Sequence, residues 1–355
     1  MVFRSLARFS VNYLQVLDEH GQIDARHAPK LTPALVKHAF DAMVLGRAFD
    51  ETALALQREG RLLTYGPGKG EEAAHAGSAL ALRKGDWIVP SFRENTAYLA
   101  RGYPPELLFE YWMGDERGQK MPKEHKMLPV AVPVSTQIPH AVGIAYAAKL
   151  LKKNEVVLTY FGDGATSKGD FYEALNFAGV FRLPVIFACI NNQYAISLPR
   201  ERQSAARTLA QKAIAAGIDS IQVDGNDVFA CYRATQQAVE RARKGEPTLI
   251  EFYTYRMGDH TTSDEASRYR SAKEVARWAK RDPISRLSKY ALGKKLWNKQ
   301  HEQKIWKLAR KRISDAVAKA EAIGTQPIED IFAYTYSQPT PRLREQLEEA
   351  RKEAV

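Results

Sequence analysis

The chain predicts an α/β fold: a doubly wound, mostly parallel sheet with an N-terminal arm and C-terminal helices. Strand-length apolar runs alternate with helix-length segments from Val156 to Tyr255 in a β-α-β-α-β rhythm. Several of the runs are apolar throughout, as strands covered on both faces are. With 355 residues, 45% of them hydrophobic, the chain can bury one large core with helical additions.

Residues 1–30 read as an extended arm with a turn at Glu19–Gly21. Thr32 opens a helix with Pro33 at its first position and apolar Leu35, Val36, Phe40, Met43 and Val44 behind it. Residues 61–70 form a glycine-containing loop, residues 71–82 a second helix, and residues 87–90 a short strand leading to Ser91, Phe92 and Arg93. Residues 120–133 are a polar loop. Pro139 then starts a helix to Lys153 in which Gly143 and Ala147 share a face. That spacing permits close approach to another subunit or close packing within the chain. Val156–Phe161 and Val185–Ile190 are buried strands joined by a helix over residues 171–181. Residues 209–216 are helical, 220–223 a strand, 227–244 a helix and 248–255 a strand. Beyond Ser271 the text is charged and helical, over 272–292 and 302–322. The division is an arm (1–30), an α/β domain (31–271) and a helical extension packed on it (272–355).

Composition excludes several functions. No apolar run approaches the length of a membrane helix. The net charge of +11 is spread through helices and mixed with acids, and no nucleic-acid motif accompanies it. Residues 1–10 carry two arginines and no acid, but they are too short for a transit peptide. Two cysteines, Cys189 and Cys231, cannot frame a disulfide scaffold, which suits a reducing cytoplasm.

Gly162-Asp163-Gly164 and Asn191-Asn192 carry the chemistry. One βαβ unit separates them, so both follow strand ends on the same sheet edge, where open α/β sheets bind ligands. Asp163 and Asn192 offer hard oxygens suited to magnesium, which in such places also takes phosphate oxygens. The residues therefore suggest a metal-anchored diphosphate, with a polar turn as the bland alternative.

The stretches Gly162–Ala178 and Asn191–Pro199, with Thr136–Pro139, Ile221–Asp227 and His260–Asp264, resemble the alpha subunit of the decarboxylating component of 2-oxo acid dehydrogenase complexes. The resemblance runs from about Phe9 to the C-terminal helices. It implies a thiamine diphosphate-binding fold with magnesium on Asp163, Asn192 and the backbone carbonyl of Tyr194. Gly162, Gly164 and Ala165 would meet the diphosphate, the last two opening the next helix. Arg93 corresponds to a phosphate-contacting arginine; the tyrosine before it in the family is Phe92 here, so any bond from that hydroxyl is lost. Val134, with Pro133, Thr136 and Gln137, matches a segment lining the cofactor and, in some members, potassium. Ala131 and Val132 replace serines there, which weakens the case for that ion. Ile190 replaces a phosphate-contacting arginine of branched-chain members. His260 matches a histidine beside the diphosphate and reaction centre, able to donate a hydrogen bond or handle protons. Glu72 matches a Gly-x-Glu near the substrate pocket. Thr261 stands where a regulatory serine follows the histidine in mammalian relatives, so kinase control is not predicted.

The resemblance further implies oxidative decarboxylation of a 2-oxo acid, with acyl transfer to a lipoyl domain on an acyltransferase core. A catalytic glutamate would come from a separate beta subunit in an α2β2 heterotetramer, leaving the lone chain inactive. Residues 207–217 look like pyruvate enzymes, which are favoured, whereas 136–139 and 223–227 lean towards branched-chain ones. Two other classes compete. A non-catalytic phosphate-binding regulator would bind without magnesium. A self-sufficient thiamine lyase or transketolase-like half would need no beta-type subunit.

Overall fold

The computed structural model describes residues 3–122 and 124–353; Met1, Val2, Lys123, Ala354 and Val355, from the arm, the 120–133 loop and the tail, lie outside them. In chain order come β1 (Asn12–Leu14), α1 (Pro33–Arg58), α2 (Glu72–Leu80), β2 (Trp87–Val89), α3 (Asn95–Ala100), α4 (Pro105–Trp112) and α5 (Gln137–Leu150). The centre holds β3 (Val157–Gly162), α6 (Gly169–Val180) and β4 (Val185–Asn191). After them come the small hairpin of β5 (Tyr194–Ala195) and β6 (Leu198–Pro199), then α7 (Arg200–Gln203), β7 (Asp219–Asp224), α8 (Val228–Ala242) and β8 (Thr248–Tyr253). The C-terminal helices are α9 (Ala272–Ala279), α10 (Pro283–Gly293), α11 (Lys299–Ala322), α12 (Asp330–Ala333) and α13 (Pro341–Glu353).

Six strands form one parallel sheet in the order β1-β7-β8-β4-β3-β2. The pleat sends alternate residues to opposite faces. Leu158, Tyr160, Ile186 and Ala188 join one core with residues of α1, α2 and α8. Val157, Phe161, Val185, Phe187 and Cys189 join the other, under α5 and α6. Both faces are covered, which is why these strands are apolar throughout.

Helix α1 begins as its sequence dictates: the Thr32 hydroxyl oxygen accepts from Leu35 N at 3.1 Å, and Pro33 occupies the first turn. Elsewhere the structure differs from the expected elements. The arm is not merely extended, because residues 12–14 pair with residues 221–223 and add an edge strand. Three residues are too short for periodicity to reveal. The helix expected over 272–292 breaks at Asp282, whose side chain caps α10 through Ser285 N at 2.9 Å, with Pro283 next. Gly164 and Ala165 lie in a 3₁₀ turn over Asp163–Ser167, and the helix proper starts at Gly169. Residues 210–216 are likewise 3₁₀ turns.

Two tertiary links matter for the site. Asp227 caps α8 through Phe229 N and Ala230 N, and its other oxygen accepts from Val16 N and Leu17 N of the arm, both at 2.6 Å. Gly143 and Ala147 face outward, and a side chain at Gly143 would meet nothing within 4 Å. Of the two alternatives for that spacing, close packing within the chain is therefore not what the structure uses.

Candidate functional site

Four strand ends converge at one edge of the sheet. Gly162 pairs in register with Ile190, so Asp163 and Asn191–Asn192 leave adjacent strands at the same level. Residues 91–93 follow β2, and residues 254–260 follow β8. The cavity they border has a volume of about 970 Å3, within the range of small-molecule sites. Its lining includes Phe92, Arg93, Val134, Gly162, Asp163, Gly164, Ala165, Asn192, Tyr194 and His260, so all of these expected residues meet in one place. Ile190 and Ile196 add apolar wall.

Asp163 is 1% exposed and its Oδ2 has no hydrogen-bond partner. Burial pushes its carboxyl up to about 7, against its own backbone N–H and the charges of Arg256 and Arg200. A buried acid with an unsatisfied oxygen is costly unless a cation joins it. The two asparagines divide their work. The Asn191 amide donates to buried Glu251 at 2.7 Å and braces the strand end. The Asn192 amide nitrogen donates to Glu71 at 2.8 Å. The loop beyond is strained: Gln193 and Ile196 have φ of 76° and 57°, the second unusual for a β-branched residue. Arg256, fully buried, holds it by donating to the carbonyls of Tyr194 at 3.2 Å and Ile196 at 2.8 Å. A side chain at Gly164 would come within 2.9 Å of the Ala195 Cβ, so this loop packs directly on the Gly-Asp-Gly turn.

Arg93 is pinned from two sides, donating to Pro67 O at 2.7 Å and to His260 O at 3.1 Å. Phe92 stands edge-on to His260, with ring centroids 6.1 Å apart. The Nδ1 atom of His260 faces two guanidinium groups, Arg93 at 3.2 Å and Arg256 at 3.4 Å. Both can only donate, so Nδ1 accepts and the ring proton sits on Nε2. Burial, then Arg93 and Arg256, pull its pKa down to about 4. At neutral pH His260 is therefore a neutral Nε2–H donor. Since the folded state disfavours protonation, its contribution to stability is complete above the ordinary value of 6.5 and is lost as pH falls towards 4. Histidine-selective ¹⁵N spectra, assigned against His260→Gln, should show this tautomer from pH 8 to pH 5. Titration near 6.5 would refute the assignment.

Glu72 is placed differently from the expectation. It does not line the cavity; it pairs with Arg47, which also contacts Asp282 at 2.9 Å, and it accepts from Gly70 N at 2.9 Å. Its neighbour Glu71, 1% exposed, lines the cavity instead. Glu71 is the N-cap and Glu72 the first residue of α2, and their side chains leave the backbone in different directions. Burial drives Glu71 up to about 8, against the lowering influence of Arg93 and the Asn192 bond. Glu71 and Arg256 were missed in the sequence. The pair of adjacent acids after Gly70 was a signal for the first; nothing local marked the second. Among the described residues, no group of three His, Cys, Asp or Glu side chains suits a metal. A cation here would rest on Asp163, Asn192 and oxygens that are not acidic side chains, a set characteristic of magnesium with phosphate.

The chain belongs to the dehydrogenase E1 component family, which its residues 40–329 match. Among its relatives is the pyruvate dehydrogenase E1 component subunit alpha of Acholeplasma laidlawii, 44% identical across 94% of this chain and 98% of the relative. The 3-methyl-2-oxobutanoate dehydrogenase subunit alpha of Mycobacterium tuberculosis is 43% identical across 93% of this chain and 90% of that protein. A pyruvate dehydrogenase E1 component subunit alpha of Staphylococcus aureus is 40% identical, across 94% and 91% respectively.

Proposed function

We propose that the chain is the alpha subunit of a thiamine diphosphate- and magnesium-dependent 2-oxo acid dehydrogenase, acting on pyruvate and passing the acyl group to a lipoyl domain on an acyltransferase core. The observation that carries this is the buried, unpartnered Asp163 Oδ2 in a cavity shared with Asn192 and Arg93. The family and the names of its relatives support the reaction class. In this reading residues 31–271 form the cofactor unit, with the 1–30 arm and helices α9–α11 built onto it, whereas α12 and α13 of the expected extension bury no residue.

Thiamine diphosphate, when bound, supplies the electron sink that lets a 2-oxo acid lose carbon dioxide. The chain's own groups bind and orient. Asp163, Asn192 and the Tyr194 carbonyl hold magnesium, and Arg93 and the 163–165 turn meet phosphate. His260 donates Nε2–H towards the reaction centre, and Phe92, Val134 and Ile190 keep that region dry. Without a hydroxyl at Phe92 and a guanidinium at Ile190, Arg93 carries more of the phosphate recognition.

Assembly with a beta subunit, as α2β2, is supported by apolar surface outside the site. Tyr146, Phe177 and Phe181 pack edge-on or tilted against one another between α5 and the end of α6, and Val180 and Leu150 beside them are more than 60% exposed. The outward Gly143 and Ala147 lie on α5 as well. No helix among the described residues is long and apolar enough to cross a membrane.

The test is co-expression with a beta-type subunit, comparing pyruvate with 3-methyl-2-oxobutanoate. Pyruvate should be preferred by at least about 10-fold in kcat/KM, the discrimination a few methyl groups allow. The chain alone should decarboxylate neither. A branched-chain preference, the second reading favoured by the Mycobacterium relative, would reverse the substrate assignment, and turnover by the lone chain would reject the subunit assignment.

A further inference from the structure

Magnesium needs the oxygen of an amide ligand, and nothing in an asparagine fixes which of its two ends faces a cation. The Asn192 side chain is buried at the cavity floor, and its two ends are held unequally. The nitrogen donates to Glu71 Oε1 at 2.8 Å, whereas Oδ1 meets only the backbone N–H of Tyr194, at 3.4 Å. Glu71 Oε1 accepts from the amide whether or not Oε2 carries a proton, so in this geometry Glu71 takes the nitrogen and leaves the oxygen for the site. The 3.4 Å contact is too long to make that choice.

We propose that Glu71 is a positioning residue: its Oε1 sets the amide orientation of Asn192 and so makes that side chain's oxygen a cation ligand. The inference rests on the reading of Asp163 and Asn192 as a magnesium site. Glu71 itself is built in. It is 1% exposed at the N-terminal boundary of α2, where its carbonyl accepts from His75 N at 3.2 Å. Its second oxygen lies 3.7 Å from His75 Nε2, and both nitrogens of that fully buried ring lack hydrogen-bond partners. Glu71 thus forms no ion pair within hydrogen-bond distance, unlike Glu72 beside it, which Arg47 neutralises. A buried carboxyl without a close counter-charge opposes folding; retaining one behind a ligand is what an orienting role requires. Metal sites commonly depend on such outer hydrogen-bond partners for 10- to 100-fold in affinity.

The experiment uses the assembled enzyme and reads binding rather than turnover. Manganese is titrated by electron paramagnetic resonance, and thiamine diphosphate binding is followed by calorimetry at fixed magnesium. Glu71→Met, which keeps length but accepts nothing, should weaken cation binding about 10- to 100-fold. Glu71→Gln, whose carbonyl can still accept from Asn192, should stay within about 3-fold of the parent. Thermal midpoints of the cation-free proteins should not fall in Glu71→Met. If that variant fails to assemble, Glu71→Ala carries the same readout. Parent-like cation binding in Glu71→Met or Glu71→Ala overturns the inference, and so does an equal loss in Glu71→Gln, which would assign the effect to charge. Asp163→Asn is measured alongside. If it too binds manganese like the parent, the magnesium-site reading has failed; if it alone loses binding, only the role of Glu71 has.

Discussion

Asp163→Asn in the assembled enzyme should lower magnesium-dependent affinity for thiamine diphosphate by more than about 100-fold, beyond the range seen when an outer partner of a metal ligand is removed. The substitution keeps the side chain's shape and removes the one acidic residue among the proposed ligands. Within the chain that acid is poorly compensated: one oxygen is unpartnered and burial holds its pKa near 7. Removing the charge should therefore leave the cation-free thermal midpoint unchanged or slightly higher. Calorimetry of cofactor binding and a thermal scan would check the two halves. Undiminished cofactor retention would remove the basis for placing magnesium here.

Asp227→Ala should cost about 4 kcal/mol, the largest loss of stability expected from any single truncation considered. One carboxylate accepts four backbone N–H groups, two starting α8 and two in the arm. Hydrogen bonds to a charged group contribute roughly 1.5–3 kcal/mol each and are not additive. For a chain of this length that corresponds to a fall of about 5 °C in midpoint. The arm should detach before the core melts, because β1 and the 16–17 segment depend on that acid, so limited proteolysis ought to cut first within residues 3–30. An unchanged midpoint with a protected arm would show that β1 pairing suffices without the carboxylate.

Much of the site was legible because its chemistry is local in sequence. Glycine, acid and asparagine at strand ends announce themselves wherever a buried strand can be recognised, and Asp163, Asn192, Arg93 and His260 do share a cavity. The acid pair Glu71-Glu72 shows the limit. Both residues sit at the same helix start, and the backbone turn from the N-cap into the helix sends one side chain to the cavity and the other to Arg47. Arg256 shows a different limit: its partners are the carbonyls of Tyr194 and Ile196, the His260 ring and the Tyr269 hydroxyl, and no local motif ties them to it.

The order of residues along this chain was sufficient for the parallel α/β architecture, the family and the strand-end residues that share the cavity, because apolar runs and strand-end motifs are written contiguously. It was silent on the edge strand made by the arm, on the proton position of His260 and on the acid behind Asn192. Those depend on groups far apart in the chain brought within hydrogen-bond distance, and a hydrogen bond's direction exists only once both partners are in place.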